Sequence, residues 1–194
     1  MKVASPILLA SMLLLSACTV PTGPVEVTIF NRANEGVTYG SGSYAVELAP
    51  DAMMNPGLTA SPYIAAVARE MRRVGYSEAL SGPAVTAEVR ISTEEFKNGR
   101  SPVSVGGAAS TGSYGSGVGL GLSVDLTGGK HRLVTTLAVR IIRNSDKLVI
   151  WEGKAEQDAK YGSPAAQPGI AASKLAEAMF KDFPGKSGQT IEVP

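Results

Sequence analysis

One hairpin constrains the fold of this chain more than any other part of it. Leu133–Ile142 is rich in β-branched and aliphatic residues, which predicts a strand. Asn144-Ser145-Asp146 is typical of a turn, and Leu148–Lys154 returns as the second arm. Trp151 lies within that arm, where we expect its ring to fill the core, although an indole can also stack on a ligand.

Four more segments carry strand patterns, in which apolar and polar residues alternate or β-branched residues cluster. The last of them is short and is expected at a sheet edge. They are Val25–Phe30, Ser43–Leu48, Val85–Ile91 and Thr190–Val193.

Two segments have helical spacing. The first begins at Ser61-Pro62, with the Ser61 hydroxyl expected as N-cap and Pro62 in the first helical position, and it stops at Gly75. Its charged residues are expected mainly on the side away from the core: Arg69, Glu70, Arg72 and Arg73. We expect one face to be apolar: Ile64, Val67, Ala68, Met71 and Val74.

The second helix is predicted from about Pro168 to Asp182, with Ala171, Leu175, Ala178 and Met179 on one face. Two helices and at least five strands are packed most economically as layers. The predicted fold class is α+β, a mainly antiparallel sheet with two helices packed on one face.

The N-terminal segment predicts where the protein is located. An apolar run from Ile7 follows Lys2 and ends in Leu15-Ser16-Ala17-Cys18, which resembles the lipobox of bacterial lipoproteins. The run is too short to span a bilayer as a helix. The resemblance implies cleavage between Ala17 and Cys18, a diacylglyceryl group on the Cys18 thiol, and an acyl chain such as palmitate on the new amino group. The alternative is a secretory signal with a chance cysteine.

This interpretation divides the chain into a signal peptide (1–17), a lipidated tether (18–24) and a single periplasmic α+β domain (25–194). Thr19 follows the cysteine where an aspartate would favour retention in the inner membrane. We therefore expect a lipid anchor at Cys18 in the outer membrane, with the domain facing the periplasm.

Charge and cysteine content exclude several classes of function. The chain has 18 basic and 17 acidic residues, and Lys2 leaves with the signal, so the mature charge is balanced and gives no reason to expect nucleic acid as a partner. Cys18 is the only cysteine. Its acylation leaves no thiol for a disulfide, a thiolate metal site or cysteine catalysis.

The glycine-rich insert at 103–129 has two interpretations. We favour a loop, because glycine has a high ordering cost. The alternative is an amphipathic hairpin that enters a membrane or pairs between subunits, since Val118, Leu120, Leu122 and Val124 alternate with small residues.

No catalytic constellation is recognisable, so we expect no enzyme, no cofactor and no metal site. The glycines match neither a dinucleotide nor a P-loop motif. His131 is the only histidine, and we expect a polar residue at a strand start rather than a base or ligand. Glu94 and Glu95 are adjacent and should point apart. Other charged and tyrosine residues are expected at an exposed edge or in packing: Glu152, Lys154, Glu156, Asp158, Lys160, Tyr63 and Tyr76.

The order of motifs along the mature chain resembles the bacterial lipoproteins grouped as domain of unknown function 4136. The resemblance implies an α+β periplasmic domain and brings no catalytic residues. The matching segments are Cys18, Val25–Ile29, Arg73-Val74-Gly75-Tyr76, Val85–Ile91, Gly115–Gly121, Lys147–Gly153 and Phe180–Gly185.

Three hypotheses for function remain open. The first is a non-catalytic envelope lipoprotein that binds an envelope partner or maintains the outer membrane. The second is a subunit of an oligomeric outer-membrane assembly or secretion complex that uses the insert, an analogy at the level of fold. The third is a carrier of a soluble ligand. The oligomeric state does not follow from the sequence.

Overall fold

In a computed structural model, seven strands form one sheet and two helices lie on it. The structure describes residues 23–50, 60–97 and 131–194. The predicted cleavage site at Ala17 and Cys18, the tether up to residue 22 and the insert at 103–129 lie outside these ranges. The fold class is α+β, as predicted.

The elements follow one another in an order close to the predicted one, with one additional short strand, β3. Short 3-10 turns occur at Ala33–Glu35 and Pro164–Ala166. The helices are α1 (Ser61–Arg73) and α2 (Pro168–Phe180). The strands are β1 (Val25–Asn31), β2 (Ser43–Leu48), β3 (Ser77–Glu78), β4 (Val85–Lys97), β5 (His131–Arg143), β6 (Leu148–Lys160) and β7 (Gln189–Val193).

The sheet is mixed, with strand order β3-β2-β4-β5-β6-β1-β7. β2 runs parallel to β3 and β4, and every other pair is antiparallel. The prediction of a mainly antiparallel sheet is therefore correct only in part. The parallel pairs arise because α1 connects β2 to β3 and β4, and a crossover helix returns the chain in the same direction.

The predicted hairpin is confirmed and is longer than expected. β5 pairs with β6 from Arg143 and Leu148 at the turn to Arg132 and Lys160 at the open end, with a bulge at Ile141/Ile142. Beyond Lys154 the strand continues because small or uncharged residues that face the helices alternate with charged ones.

The predicted N-cap of α1 is wrong. The amides of Tyr63 and Ile64 both bond to the carbonyl oxygen of Ala60, so the helix begins one residue earlier and Ser61 lies inside it. The buried face is also rotated relative to the prediction. Glu70, expected on the solvent side, is only 3% exposed.

Both helices lie on one face of the sheet and contact each other. We name the two ends of the molecule by a residue. At the Gly23 end, β1 and β5 begin and β4 and β6 end, because Val25 pairs with Gln157 and Thr135 pairs with both Gln157 and Thr93.

At the Trp151 end, both helices finish: Phe180 of α2 stacks on Trp151 with ring centroids 5.0 Å apart, and Val74, the residue after α1, lines the same cleft as Phe180. Trp151 is 1% exposed, which confirms the prediction that it lies in the core. Among the described residues, no helix is long and apolar enough to cross a bilayer.

Candidate functional site

A cleft of about 310 Å³ opens at the Trp151 end, where α1 and α2 finish side by side. We call it the helix-end cleft. Its volume is at the small end of the range found for small-molecule sites. The residues that line it include Tyr39, Gly40, Arg73, Phe180, Lys181 and Phe183.

The floor of the helix-end cleft is aromatic. Phe183 lies at its centre, with ring centroids 5.4 Å from Trp151, 5.5 Å from Phe180 and 5.7 Å from Tyr39. The Trp151 indole N–H donates to the carbonyl oxygen of Pro184 at 3.0 Å. This bond holds the segment after α2 against the sheet, so the floor is pre-formed.

Two tyrosines at this end differ in the hydrogen bonding of their hydroxyl groups: Tyr39 is part of the cleft lining, and Tyr76 is buried next to it. Tyr39 accepts from the amide of Arg32 at 2.9 Å and donates to the carbonyl oxygen of Ile150 at 2.7 Å. The hydroxyl of Tyr76 is buried behind Phe183 and makes no hydrogen bond of normal geometry. Burial raises the pKa of both phenols, and the Gly40 amide offsets part of that rise at Tyr76. Both are therefore neutral at pH 7 and cannot act as general bases there.

The rim of the cleft is cationic. Arg73 donates from Nη2 to the carbonyl oxygen of Phe180 at 2.8 Å and from Nε to the carboxylate of Glu70 at 2.6 Å. Arg69 contacts the other oxygen of Glu70 at 3.3 Å. The buried carboxylate thus fixes Arg73 at the mouth, where it also satisfies the end of α2. Lys181 adds an exposed positive charge beside it.

Two glycines bring the remaining wall into place. Gly40 and Gly75 both have positive φ, 70° and 108°. A Cβ on Gly75 would lie 2.5 Å from the carbonyl oxygen of Gly40, and a Cβ on Gly40 would lie 2.4 Å from that of Val74. The loop before β2 therefore touches the end of α1 backbone to backbone, which only glycine permits.

This geometry is suited to recognition of a small or flat group. The floor offers the partly exposed rings of Tyr39 and Phe183, which pack over the buried rings of Phe180 and Trp151, and the rim offers a guanidinium and an ammonium. An aromatic or aliphatic group that carries a negative charge complements both.

A second cleft of about 320 Å³ lies at the same end of the molecule, on the strand that carries Trp151. Its lining includes Phe30, which is 48% exposed, and the Arg32–Glu35 ion pair at 2.8 Å. Asn31 donates from its side chain to the carbonyl oxygens of Pro184 and Gly185, both at 3.0 Å. The 184–187 segment thus separates the two clefts.

The structure does not bring the other candidate residues into the helix-end cleft. His131 lies at the start of β5 at the Gly23 end, where it bonds to Glu95 and stacks on Tyr161 at 3.9 Å. Glu94 and Glu95 pair with different residues and point apart, as predicted. Tyr63 and Tyr76 are buried packing residues, also as predicted.

The charged residues of β6 lie on the sheet face that no described helix covers. Arg140 is placed between Glu88 at 3.7 Å and Glu152 at 3.8 Å, and Lys154 pairs with Glu156 at 3.1 Å. Asp158 pairs with Arg132. Within residues 23–50, 60–97 and 131–194, no group of three or more His, Cys, Asp or Glu could hold a metal ion.

Comparison with known proteins places the chain in a family. The model of the domain of unknown function DUF4136 matches residues 32–185. An uncharacterised protein of Zymomonas mobilis, ZMO1243, is 27% identical over 89% of this chain and 81% of its own length.

Two solved structures resemble the chain. A PDZ domain protein from Parabacteroides distasonis aligns with a TM-score of 0.50 at 12% identity over 88% of this chain; the chain spans about two fifths (39%) of that protein's length, and the likeness concerns the fold alone. The PelC dodecamer from Paraburkholderia phytofirmans aligns at 0.41 and 12% identity over 79% of this chain and 93% of that one, a likeness too low to support any argument. The family match covers most of the chain and confirms the resemblance seen in its motifs: the protein belongs to the DUF4136 family.

Proposed function

We propose that this protein is a non-catalytic, lipid-anchored envelope lipoprotein that binds a partner through the helix-end cleft. The anchor is Cys18, cleaved after Ala17, in the outer membrane with the domain in the periplasm. The observation that carries the binding role is the pre-formed aromatic floor under the cationic rim of Arg73 and Lys181. The Tyr39 hydroxyl already accepts from the amide of Arg32 and donates to the carbonyl oxygen of Ile150, which favours recognition over proton transfer.

The partner's chemistry follows from the cleft. A side chain or small group with a ring or alkyl part and a carboxylate or phosphate complements the floor and the rim together. A cleft of about 310 Å³ admits such a group rather than a folded surface. We therefore propose that the partner inserts one protruding anionic group.

Photocrosslinking in cells tests the binding role. A photoreactive amino acid at Lys181 is expected to capture one partner reproducibly, and adding Arg73→Ala should reduce the yield. The matched control carries the same group at Ser145, an exposed turn position outside the cleft lining. Equal capture at Lys181 and Ser145 would contradict the proposal, as would an enzymatic activity abolished by one change in residues 25–194.

The anchor has its own test. Mass spectrometry of the membrane fraction should find an acylated N-terminal cysteine in the wild type. Cys18→Ser should leave uncleaved, unlipidated precursor. Normal maturation of the serine variant would refute the lipoprotein assignment.

A second candidate is a subunit of an oligomeric outer-membrane assembly that uses the 103–129 insert. The observation that favours it is the position of Lys97 and His131, the residues on either side of that region, at the same end of the sheet as Gly23. Detergent-extracted protein would then run as a large ring and make liposomes leaky. A monomer that leaves liposomes intact refutes it.

The third candidate, a carrier of a soluble ligand, would use the same cleft. A carrier would retain a small molecule in the cleft, whereas the first proposal requires a partner outside it that inserts one group. Native mass spectrometry of purified protein would show one bound small molecule, lost in Arg73→Ala.

A further inference from the structure

The surface around Gly23 is defined by two contacts that hold the start of the domain. Lys174 of α2 donates from Nζ to the carbonyl oxygen of Gly23 at 2.5 Å. A Cβ on Gly23 would lie 3.5 Å from the carbonyl oxygen of Asp158, near the end of β6. The point at which the chain enters the domain is therefore fixed on α2 and β6.

The distance from this point to the anchor is short. Five peptide units separate Cys18 from Gly23. A fully extended chain of that length reaches at most about 18 Å, and a flexible one averages about 12 Å. Because the acyl chains of Cys18 would be in the bilayer, the Gly23 end is held within reach of the headgroup layer.

The part of the Gly23 end formed by Lys160–Ile170 suits a lipid surface. It connects β6 to α2 and contains one basic and no acidic side chain. Tyr161 is 49% exposed, and Pro164, Gln167 and Gly169 are exposed around it. Tyrosine and lysine are residues that favour the interface between headgroups and water.

We propose that the Gly23 end, with Lys160–Ile170 at its surface, rests on the phospholipid headgroup layer, so that the helix-end cleft faces away from the membrane. This inference rests on the proposed lipidation of Cys18. Trp151 lies six residues from Gln157 along β6, which places the cleft about 20 Å further from the bilayer. The orientation gives a periplasmic partner free access to Arg73 and Phe183.

Quenching of tryptophan fluorescence by a lipid with a nitroxide on its headgroup tests the orientation. The chain has one tryptophan, Trp151, which is buried at the far end and serves as the reference. Tyr161→Trp adds a reporter at the Gly23 end, and Ser145→Trp adds the matched control at the turn between β5 and β6. Gln167→Trp is a second reporter on Lys160–Ile170, for use if Tyr161→Trp disturbs the stacking on His131.

The orientation can be tested without lipidation in cells, because the lipid can be attached chemically. Cys18 is the only thiol, so the chain from Cys18 onward can be coupled there to a maleimide phospholipid and placed in phosphatidylcholine vesicles. We expect the emission added by Tyr161→Trp or Gln167→Trp to be mostly lost and that added by Ser145→Trp to be retained. Equal quenching of reporter and control, or no quenching of either reporter in protein that floats with the vesicles, would overturn the orientation. Failure of lipidation in cells is read separately, from the mass of the mature protein.

Discussion

The indole of Trp151 lies directly over the backbone of Gly153, two residues further along the same strand. A Cβ on Gly153 would lie 2.4 Å from Cη2 of the indole and 2.8 Å from Cγ of Met179. The absence of a side chain at position 153 thus makes the space that the largest core residue occupies. Both residues face α2, so the arrangement fixes the height of the helix above the sheet.

Gly153→Ala should destabilise the domain, because the added methyl group must displace Trp151 or Met179 in a packed core. Overpacking of this kind costs about 1–3 kcal/mol. Gly169→Ala is the matched control: nothing lies within 4 Å of its added Cβ and its position is helical, so we expect a gain of about 0.4–1 kcal/mol. Urea denaturation of both variants gives the two free energies of unfolding.

Trp151→Ala should cost about 3–5 kcal/mol, as large-to-small core changes do. Trp151→Phe keeps a ring but loses the donor to Pro184, so it should cost less than the alanine variant. Leu80→Ala is the control, since Leu80 is fully exposed and surface changes stay within about 0.5 kcal/mol. A Trp151→Ala melt that coincides with the wild type would show that the core lies elsewhere.

Arg73→Ala should destabilise by about 1–3 kcal/mol, because it leaves the buried Glu70 carboxylate with a weaker partner and the Phe180 carbonyl without this donor. Arg72→Ala, one residue earlier, removes an ion pair with Glu78 in which both side chains are more than half exposed, and a hydrogen bond of 3.3 Å to the Tyr44 hydroxyl, which keeps its bond to the carbonyl oxygen of Ala68. Such pairs contribute about 0–1 kcal/mol. Equal losses from the two variants, measured by thermal unfolding, would contradict the role assigned to Glu70.

The burial of the Tyr76 phenol predicts that the free energy of unfolding falls at alkaline pH. Burial raises the pKa of its phenol, so the folded state holds the proton more tightly than the unfolded chain does. The stabilisation is complete below the unfolded pKa of about 10 and is lost as pH rises through the higher folded pKa. Tyr76→Phe should remove the part of the alkaline loss that Tyr76 causes in unfolding curves recorded from pH 8 to 11. The rest should remain, because burial also raises the pKa of Tyr39, Tyr44 and Tyr63.

The same variant should be nearly neutral at pH 7, because the Tyr76 hydroxyl makes no hydrogen bond of normal geometry. Tyr39→Phe provides the contrast. It removes the donor to the Ile150 carbonyl oxygen and one of the two acceptors of the Arg32 amide, which keeps its bond to Ile150, and a net hydrogen bond is worth about 0.5–1.5 kcal/mol. A larger loss at pH 7 from Tyr76→Phe than from Tyr39→Phe would refute this comparison.

Much of the fold could be predicted because its strongest signals are local. The β5–β6 hairpin has its two arms and its turn within one stretch of sequence, and α2 buries all four residues expected on its inner face. The edge strand β7 is also where the C-terminal alternation predicted it. Local periodicity determines these elements, so the sequence is sufficient for them.

The remaining features depend on contacts between distant parts of the chain. The parallel pairing of β2 with β4 results from the path of α1, and strand patterns do not report direction. Burial of Glu70 depends on Arg73 and on the end of α2 together. Glu70 and Arg73 are three residues apart, a spacing that allows an ion pair on a helix but does not indicate that the carboxylate is buried.

The helix-end cleft was missed for the same reason. Its lining comes from the loop before β2, the end of α1 and the segment after α2. Gly40 and Gly75 bring these parts together, and nothing in the sequence pairs one glycine with the other. The sequence shows Phe180 and Phe183 as part of a family motif, but it does not show that they form the floor of a cleft.

The place of β1 between β6 and β7 has a consequence for synthesis. Its partners in the sheet are the last two strands of the chain, so β1 leaves the ribosome long before either exists. At about 5–20 residues per second, the interval between Asn31 and Leu148 is on the order of 10 s. During that time the apolar residues Val25, Val27 and Ile29 lack their partner strands, and this part of the nascent chain stays open to chaperones.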